Sequence, residues 1–281
     1  MQNLRRKVKE KMKIDCLVCD LDGTLLNSQK KIGERTVHML KSLQKQGIRI
    51  ILATGRNDVY VKNLARQIDL KGCIIACNGA LVRNIGTKET VFSKSLDKAD
   101  VKRIVEYCLV KKYEFVLNGE NSMICSAENE RIKIYQDYNK SVPLEDKLPI
   151  SIFDGFDELQ NCRIYRIFIC PIVHETAKKF MQVFASNRDI CFQISENAGL
   201  DIMANHVGKE RALKVLLDYY EVPTDRVAAF GDYYNDKKML QLVKYSFSME
   251  NAVDEIKNIS RYVTKSNDED GIAYAIKKYL K

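Results

Sequence analysis

Residues 14–24 read IDCLVCDLDGT, and this segment decides the fold. A mostly apolar run from Ile14 to Cys19 has the length of a fully buried strand, and two aspartates, Asp20 and Asp22, follow it. Alternation along an extended chain would point both carboxylates the same way, into the crevice where open α/β sheets bind ligands. The segment therefore predicts a central strand with a polar site at its carboxyl end.

Strands and helices alternate outward from this segment. Helical spacing over 33–46 leads to a second apolar run from Ile48 to Ala53, and a helical segment over 58–68 leads to a third from Cys73 to Cys77. The alternation returns near the other end of the chain, at 210–220, 227–230, 236–243, 245–249, from 252, around 262 and from 271. This pattern predicts an α/β fold with a doubly wound parallel sheet, a Rossmann-like core.

The middle of the chain has a different pattern, in which strands outnumber helices. The predicted elements are a hairpin about the turn at 84–87, helices at 97–111, 128–138 and 176–187, and strands at 114–117, 122–126, 163–170 and 190–195. This mixture predicts an α+β domain inserted between the third and fourth strands of the core. The predicted boundaries are 1–83 and 196–281 for the core and 84–195 for the inserted domain.

The composition of the 281 residues is that of a globular protein, since 46% are hydrophobic and 30% are charged. No apolar run approaches the roughly 18 residues of a membrane-spanning helix. No secretory signal follows the basic residues at the start of the chain, and nine Cys without a disulfide-scaffold rhythm suit a reducing compartment. We therefore expect a cytoplasmic protein with no membrane partner.

The net charge of +9 admits nucleic acid, acidic lipid or small anions as partners. Lys residues are spread along the chain, with one dense cluster from Arg5 to Lys13. Because no nucleic-acid-binding motif is present, a solvated surface is the favoured interpretation. Cys16 and Cys19 spell C-x-x-C, but in a strand they would face opposite sides, which favours buried structural thiols over a zinc or redox site.

Polar side chains also follow the other predicted buried strands. Thr54 ends the second strand, where its hydroxyl and a free backbone N–H could hold an anionic oxygen. Asp232 ends a later strand, and Asn235 and Asp236 complete an oxygen-rich set of the kind that Mg²⁺ prefers. Lys209 begins a helix, where a cation would neutralise a phosphate. Each residue alone is more typical of a turn, a cap or the surface, but their joint placement favours phosphate chemistry.

Four segments resemble, in order, the four motifs of the haloacid dehalogenase superfamily of phosphatases. They are DLDGTLL at 20–26, ATGR at 53–56, Lys209 with the helix that follows it, and GDYYND at 231–236. NGA at 78–80 and SNDEDGI at 266–272 are further similar to the Cof-type branch, whose members carry a large α/β cap between the second and third motifs. The resemblance covers essentially the whole chain after residue 13, and it places the cap between Thr54 and Lys209.

The resemblance implies a role for each matching residue. Asp20 would be the nucleophile that forms an aspartyl-phosphate, and Asp22 would act first as the acid and then as the base. The implied Mg²⁺ ligands are the Asp20 carboxylate, the Asp22 backbone carbonyl and Asp232, with Asp236 nearby. The implied substrate-binding residues are Thr54, Gly55, Asn78, Gly79, Lys209 and Asn235, of which Thr54 and Lys209 are also catalytic. Arg56 could either reach the substrate or tie the turn together.

The leading function is therefore that of an Mg²⁺-dependent phosphatase acting on small phosphorylated metabolites, such as sugar phosphates or nucleotide-like phosphomonoesters. A phosphomutase or phosphotransferase, which passes the phosphoryl group to a sugar hydroxyl instead of water, is the alternative that the motifs separate least. A basic nucleic-acid-binding or regulatory protein on the same scaffold is a further alternative, which the intact catalytic set disfavours. The substrate, the cap residues that contact its leaving group and the oligomeric state stay open on sequence alone.

Overall fold

The computed structural model describes residues 12–120, 122–127, 129–195 and 199–280. The strands are β1 (Cys16–Cys19), β2 (Arg49–Ala53), β3 (Cys73–Ala76), β4 (Leu81–Asn84), β5 (Thr90–Ser93), β6 (Phe115–Gly119), β7 (Met123–Cys125), β8 (Ile150–Ile152), β9 (Ile164–Ile169), β10 (Ile190–Ser195), β11 (Gly199–Ala204), β12 (Val227–Gly231), β13 (Tyr245–Ser248) and β14 (Tyr262–Val263). The α-helices are α1 (Glu34–Lys45), α2 (Asp58–Gln67), α3 (Lys98–Lys111), α4 (Glu130–Ser141), α5 (His174–Val183), α6 (Lys209–Tyr219), α7 (Lys237–Leu242), α8 (Asp254–Ile259) and α9 (Gly271–Ala275). Most of the basic cluster from Arg5 to Lys13 lies outside the described residues.

The first sheet has the strand order β14-β13-β12-β1-β2-β3-β4-β5. Neighbouring strands from β14 to β3 are parallel, and β4 and β5 add antiparallel strands at one edge. Cys16 packs in an apolar cluster with residues of α6 and α7, whereas Cys19 packs in another with residues of α1 and α2. The two thiols therefore face opposite sides of β1, as predicted, and helices cover both faces of a doubly wound sheet.

The second sheet has the strand order β10-β11-β9-β6-β7-β8, and its pairs are antiparallel except for β7 with β8. Apolar side chains of α3 and α5 pack on it and form a separate hydrophobic core. Apart from β11, its strands lie in the part of the chain in which the sequence predicted an α+β arrangement. No helix among the described residues is long and apolar enough to cross a membrane.

The strand pairing differs from the prediction at both boundaries of the inserted segment, residues 84 and 195. β5 pairs with β4, so residue 84 lies inside a hairpin of the first sheet. β11 pairs along both β10 and β9, so the second sheet continues to Ala204 instead of ending at 195. β11, with the sequence GLDIMA, is buried over its whole length. It therefore lacks the alternation of a half-exposed strand, and no such pattern predicts it from the sequence.

One edge of the first sheet collects the ends of several elements. β1 lies between β2 and β12, so Asp20 and Asp232 follow neighbouring parallel strands. The loop after β3 packs against the start of α6, where a Cβ on Gly79 would lie 2.3 Å from the backbone oxygen of Gly208. Gly79 also has a φ of +98°, which L side chains rarely adopt. Glycine therefore permits the close approach that fixes the start of α6 against the sheet.

Gly79→Ala should lower the free energy of unfolding by about 4 kcal/mol, because a backbone clash adds to the cost of a left-handed conformation. Gly47→Ala is the matched control, since Gly47 has a φ of +86° but no atom within 4 Å of its Cβ position. The control should lose only the conformational cost of about 1–2 kcal/mol. Urea unfolding measures both values, and equal losses would show that the Gly79 contact does not constrain the fold.

Candidate active site

Three buried aspartates meet where β1 and β12 end. Asp20 follows β1, Asp232 follows β12, and Asp236 lies in the turn before α7. One carboxylate oxygen from each of the three lies within 4.8 Å of the others. The structure thus brings together three of the four residues that the sequence nominated as metal ligands.

The ammonium group of Lys209 lies among these carboxylates. Its Nζ is 2.5 Å from Oδ1 of Asp20 and 2.8 Å from Oδ1 of Asp236, and the side chain is fully buried. Burial alone would lower the pKa of Lys209, but the two carboxylates outweigh it and hold that pKa well above its usual value. Because Lys209 is the first residue of α6, the contact at Gly79 that positions this helix also positions the charge.

The pKa of Asp20 is raised. Burial is the main cause, and the negative charges of Asp236 and Asp22 add to it, while Lys209 opposes the shift. The three carboxylates of the cluster share one ammonium group, so negative charge is in excess. A divalent cation would balance that excess, and carboxylate oxygens are the hard ligands that Mg²⁺ prefers.

Backbone geometry holds the acidic cluster in place. Oδ2 of Asp236 accepts hydrogen bonds from the backbone N–H groups of Asp232, at 3.0 Å, and Tyr233, at 3.3 Å. The hydroxyl of Thr24 donates a hydrogen bond to Oδ1 of Asp232. A Cβ on Gly23 would lie 2.2 Å from the Asp232 carboxylate, so the glycine of the DLDGT segment makes room for that side chain.

Asp22 lines the same cavity as Asp20 but has different partners. Arg56 donates two parallel hydrogen bonds to its carboxylate, from Nε to Oδ2 at 2.8 Å and from Nη2 to Oδ1 at 2.6 Å, and Lys30 donates a third at 2.9 Å. Burial alone would raise the pKa of Asp22, but Arg56 and Lys30 hold it well below its usual range. Asp22 is thus held as a carboxylate, the form that accepts a proton.

The orientation of Asp22 does not arise as the sequence predicted. β1 ends at Cys19 and the chain turns at Leu21, so strand alternation does not extend to Asp22. The role of Arg56, which the sequence left open, is to bind Asp22 while its guanidinium lies over the ring of Tyr60, 4.5 Å from the centroid. The second partner of Asp22, Lys30, was not predicted from the sequence, since no motif marks it.

Other residues that the sequence nominated for substrate binding reach the same cavity, namely Thr54, Gly55, Asn78 and Asn235. The prediction that the backbone N–H of Thr54 is free is wrong, because this group donates a hydrogen bond to the carbonyl of Ile75 at 2.8 Å. The Thr54 hydroxyl oxygen accepts a hydrogen bond from the backbone N–H of Arg56 at 3.1 Å. The side chain, and not the backbone N–H, is therefore the group that Thr54 offers to a ligand.

Asn78 connects this loop with two other parts of the site. Its Oδ1 accepts a hydrogen bond from Asn235 at 3.3 Å, and its Nδ2 donates one to Asp201 at 3.0 Å. Gly79, nominated for substrate binding, packs instead against the backbone of Gly208. The NGA segment thus joins the first sheet to α6 and to β11 of the second sheet.

The cavity lies between the two sheets and has a volume of about 370 Å³. Part of its lining comes from α4 and the second sheet, in residues that the sequence analysis did not identify: Asn118, Arg131, Tyr135, Arg166, Phe168 and Asp201. These residues share no sequence spacing, so no pattern could have marked them. Arg166 donates a hydrogen bond to Asp201, which pairs the two charges.

The similarity of this chain to known proteins extends over both sheets. Residues 17–276 match the family model of the haloacid dehalogenase-like hydrolases. The chain is 30% identical over 288 residues to the 5-amino-6-(5-phospho-D-ribitylamino)uracil phosphatase YwtE of Bacillus subtilis, across 94% of this chain and 98% of the relative. It is 28% identical over 274 residues to the 5-amino-6-(5-phospho-D-ribitylamino)uracil phosphatase YbjI of Escherichia coli, across 96% and 97% of the two chains.

A solved structure has the same fold. A haloacid dehalogenase-like hydrolase from Bacteroides thetaiotaomicron superposes with a TM-score of 0.83 at 27% identity, over 95% of this chain and 99% of that one. The similarity therefore extends over the cavity and both of the sheets that line it.

Lys209→Met should lower the free energy of unfolding in EDTA by about 3–5 kcal/mol, because it leaves buried carboxylates without their counter-charge. Adding Asp236→Asn should recover part of the loss, with a coupling energy of about 1–3 kcal/mol. Urea unfolding of the single and double variants gives this cycle. Lys214→Met, an exposed position on the same helix, is the control and should change stability by about 0.5 kcal/mol or less. Strictly additive losses would show that Lys209 does not act through Asp236.

Proposed function

The chain belongs to the haloacid dehalogenase-like hydrolases and is a phosphoric monoester hydrolase, and we propose that it is an Mg²⁺-dependent phosphatase of small phosphorylated metabolites. One observation carries the proposal. The Asp20 carboxylate is buried beside a cavity, in contact with the ammonium group of Lys209 and close to two further carboxylates. An anionic nucleophile that must approach an anionic phosphate needs this kind of positive charge beside it.

In the proposed reaction, Asp20 attacks phosphorus in line, the phosphorus–oxygen bond to the leaving group breaks, and an aspartyl-phosphate forms. Water then attacks this intermediate, which releases inorganic phosphate and restores the carboxylate. The hydroxyl of Thr54 and the amide of Asn235 line the cavity and would bind phosphoryl oxygens. Lys209, already in contact with Asp20, would stabilise the negative charge on the transferred group.

The acidic cluster has a donor set that fits Mg²⁺. Asp20, Asp232 and Asp236 would hold the ion with carboxylate oxygens, and the family resemblance adds the backbone carbonyl of Asp22. When bound, the ion supplies positive charge that reduces the repulsion between the Asp20 carboxylate and the phosphate. The excess of negative charge over the single ammonium group of Lys209 is the observation that supports this assignment.

Asp22 would carry the proton in both steps. Protonation of the leaving alkoxide assists the first step, and the resulting carboxylate can activate water in the second. Arg56 and Lys30 stabilise the ionised form of Asp22, so the acid form requires that these cations release it. Arg56 lines the cavity, and a phosphate ester that attracts its guanidinium would free Asp22 to hold a proton.

The proposed substrates are phosphomonoesters of sugars, sugar alcohols or nucleotide-like compounds. The two relatives named above act on 5-amino-6-(5-phospho-D-ribitylamino)uracil, which is a phosphate ester of a sugar-alcohol chain. A cavity of about 370 Å³ suits a ligand of this class. All nine cysteines are free thiols, which supports a cytoplasmic location for the enzyme.

Purified protein should release inorganic phosphate from a panel of sugar phosphates and nucleoside monophosphates in Mg²⁺, and EDTA should stop this release until Mg²⁺ is restored. Asp20→Asn should abolish turnover, because the amide keeps the shape but loses the charge and the nucleophilicity. Asp69→Asn removes a carboxylate from an exposed position and serves as the control.

Substantial phosphate release by Asp20→Asn would overturn the assignment of the nucleophile, and unchanged activity after thorough chelation would remove Mg²⁺ from the reaction. An isomerised sugar phosphate without free phosphate would favour the phosphomutase.

Asp22→Ala should slow the first step much more for alkyl phosphates than for p-nitrophenyl phosphate, whose phenolate leaves with little need of a proton. General acid assistance is typically worth roughly 10²–10⁴-fold, so the two losses should differ measurably. Single-turnover release of the alcohol or phenol isolates this step from the later attack of water. Equal losses for the two leaving groups would mean that Asp22 positions the site and does not donate the proton.

A further inference from the structure

One guanidinium group of the cavity differs from the other cations there in its partners. Arg131 lies on α4 and lines the cavity, and none of its contacts among the described residues is with a carboxylate. Its Nε is buried without a hydrogen-bond partner there, and its Nη2 donates to Sγ of Cys170 at 3.3 Å, a weak acceptor. Burial raises the pKa of the neighbouring Tyr135 phenol, so Tyr135 supplies no negative charge.

The other cations that line the cavity are all paired with carboxylates. Arg56 and Lys30 bind Asp22. Arg166 binds Asp201. Within the described part of the chain, Arg131 is therefore the cation of this cavity that forms no ion pair with a carboxylate. It lies only within electrostatic range of Asp201, which is already bound to Arg166. A partly buried charge in this position is costly unless a ligand of opposite sign binds to it.

An aromatic ring holds the Arg131 guanidinium at the cavity. Its Cζ lies 4.6 Å from the ring centroid of Phe168, and the Cζ of Arg166 lies 4.4 Å from the same centroid. The ring itself packs on Gly199, where a Cβ would lie 2.3 Å from it. Cation–π contact with a ring that rests on backbone keeps Arg131 in place before a ligand arrives.

We propose that Arg131 binds a second negatively charged group, carried by the leaving group of the phosphate ester, and that the enzyme thereby selects anionic phosphorylated metabolites. The proposal rests on the phosphatase function given above. A carboxylate and a phosphate both present the pair of oxygens that a guanidinium binds through parallel hydrogen bonds. The Ser195 hydroxyl also lines the cavity, is buried and has no partner among the described residues, so it offers a further hydrogen bond to the same ligand.

The test compares substrates that differ only in the second charge. In the first pair, 6-phosphogluconate and sorbitol 6-phosphate have the same carbon chain but end in a carboxylate or a hydroxyl. In the second pair, fructose 1,6-bisphosphate and fructose 6-phosphate differ by one phosphate. The measured quantity is the ratio of kcat/KM within each pair, and the pair that shows a preference identifies the anion.

The wild-type ratio should be about 10 or more in favour of the doubly charged member of at least one pair, the range of a charged hydrogen bond. Arg131→Gln should reduce that ratio about tenfold. Lys133→Gln removes the same charge from an exposed position on α4 that does not line the cavity, and it should leave the ratio unchanged. Ratios near one in both pairs for the wild type, or equal losses for both members in Arg131→Gln, would overturn the proposal.

A measurement of ester binding tests the Arg131 site independently of phosphatase activity. Calorimetric titration of Asp20→Asn and of Asp20→Asn with Arg131→Gln, using both pairs of esters, does not depend on turnover. If no ester is hydrolysed, p-nitrophenyl phosphate included, the proposed function fails. Tighter binding of a doubly charged ester that is lost with Arg131 would still support the anion site. Failure of both doubly charged esters to bind preferentially would overturn the site even in an active phosphatase.

Discussion

The ammonium group of Lys209, held between Asp20 and Asp236, is the interaction on which the rest of the site depends. Three carboxylates within 4.8 Å in the protein interior repel one another and would otherwise favour protonation or unfolding. Several structural features serve to bring this one cation to them. The pairing of β1 with β12 brings two of the acids together, and the backbone contact at Gly79 places the start of α6 beside them. A single fixed cation still leaves an excess of negative charge, which is the electrostatic condition for binding a divalent ion.

Asp20 and Asp22 show how two identical side chains acquire different chemistry from their surroundings. Burial raises the pKa of Asp20, whereas two parallel hydrogen bonds from Arg56 hold that of Asp22 well below its usual range. The negative charge of Asp20, the proposed nucleophile, is compensated by a buried lysine that contacts it directly. The negative charge of Asp22, the proposed proton carrier, is compensated by an arginine that lines the cavity and is therefore accessible to a ligand. In the proposed reaction, Arg56 would consequently link the binding of an anionic substrate to the protonation state of Asp22.

The sequence predicted the first sheet well because its central strands are continuous apolar runs, as in β1, and because parallel strands deliver their ends to one edge. It failed where tertiary pairing decides the outcome. The N–H of Thr54 is used by the carbonyl of Ile75, a consequence of the pairing of β2 with β3 that no local pattern contains. β11 is buried on both faces and so lacks alternation. Lys30 and Arg131 become part of the cavity only when separate segments fold together.

The two sheets contribute different physical properties to the cavity. In the acidic cluster, Asp236 accepts backbone hydrogen bonds and Asp232 packs against Gly23, while Asp20 is held by Lys209 from the start of α6. The groups from α4 and the second sheet are held by side-chain contacts, such as the pairing of Arg166 with Asp201 and the packing of Arg131 on Phe168. Substitutions there can change which leaving group is accommodated while the acidic cluster keeps its shape. The hydrogen bond from Asn78 to Asp201 connects the two sets, since it joins the loop after β3 to β11 of the second sheet.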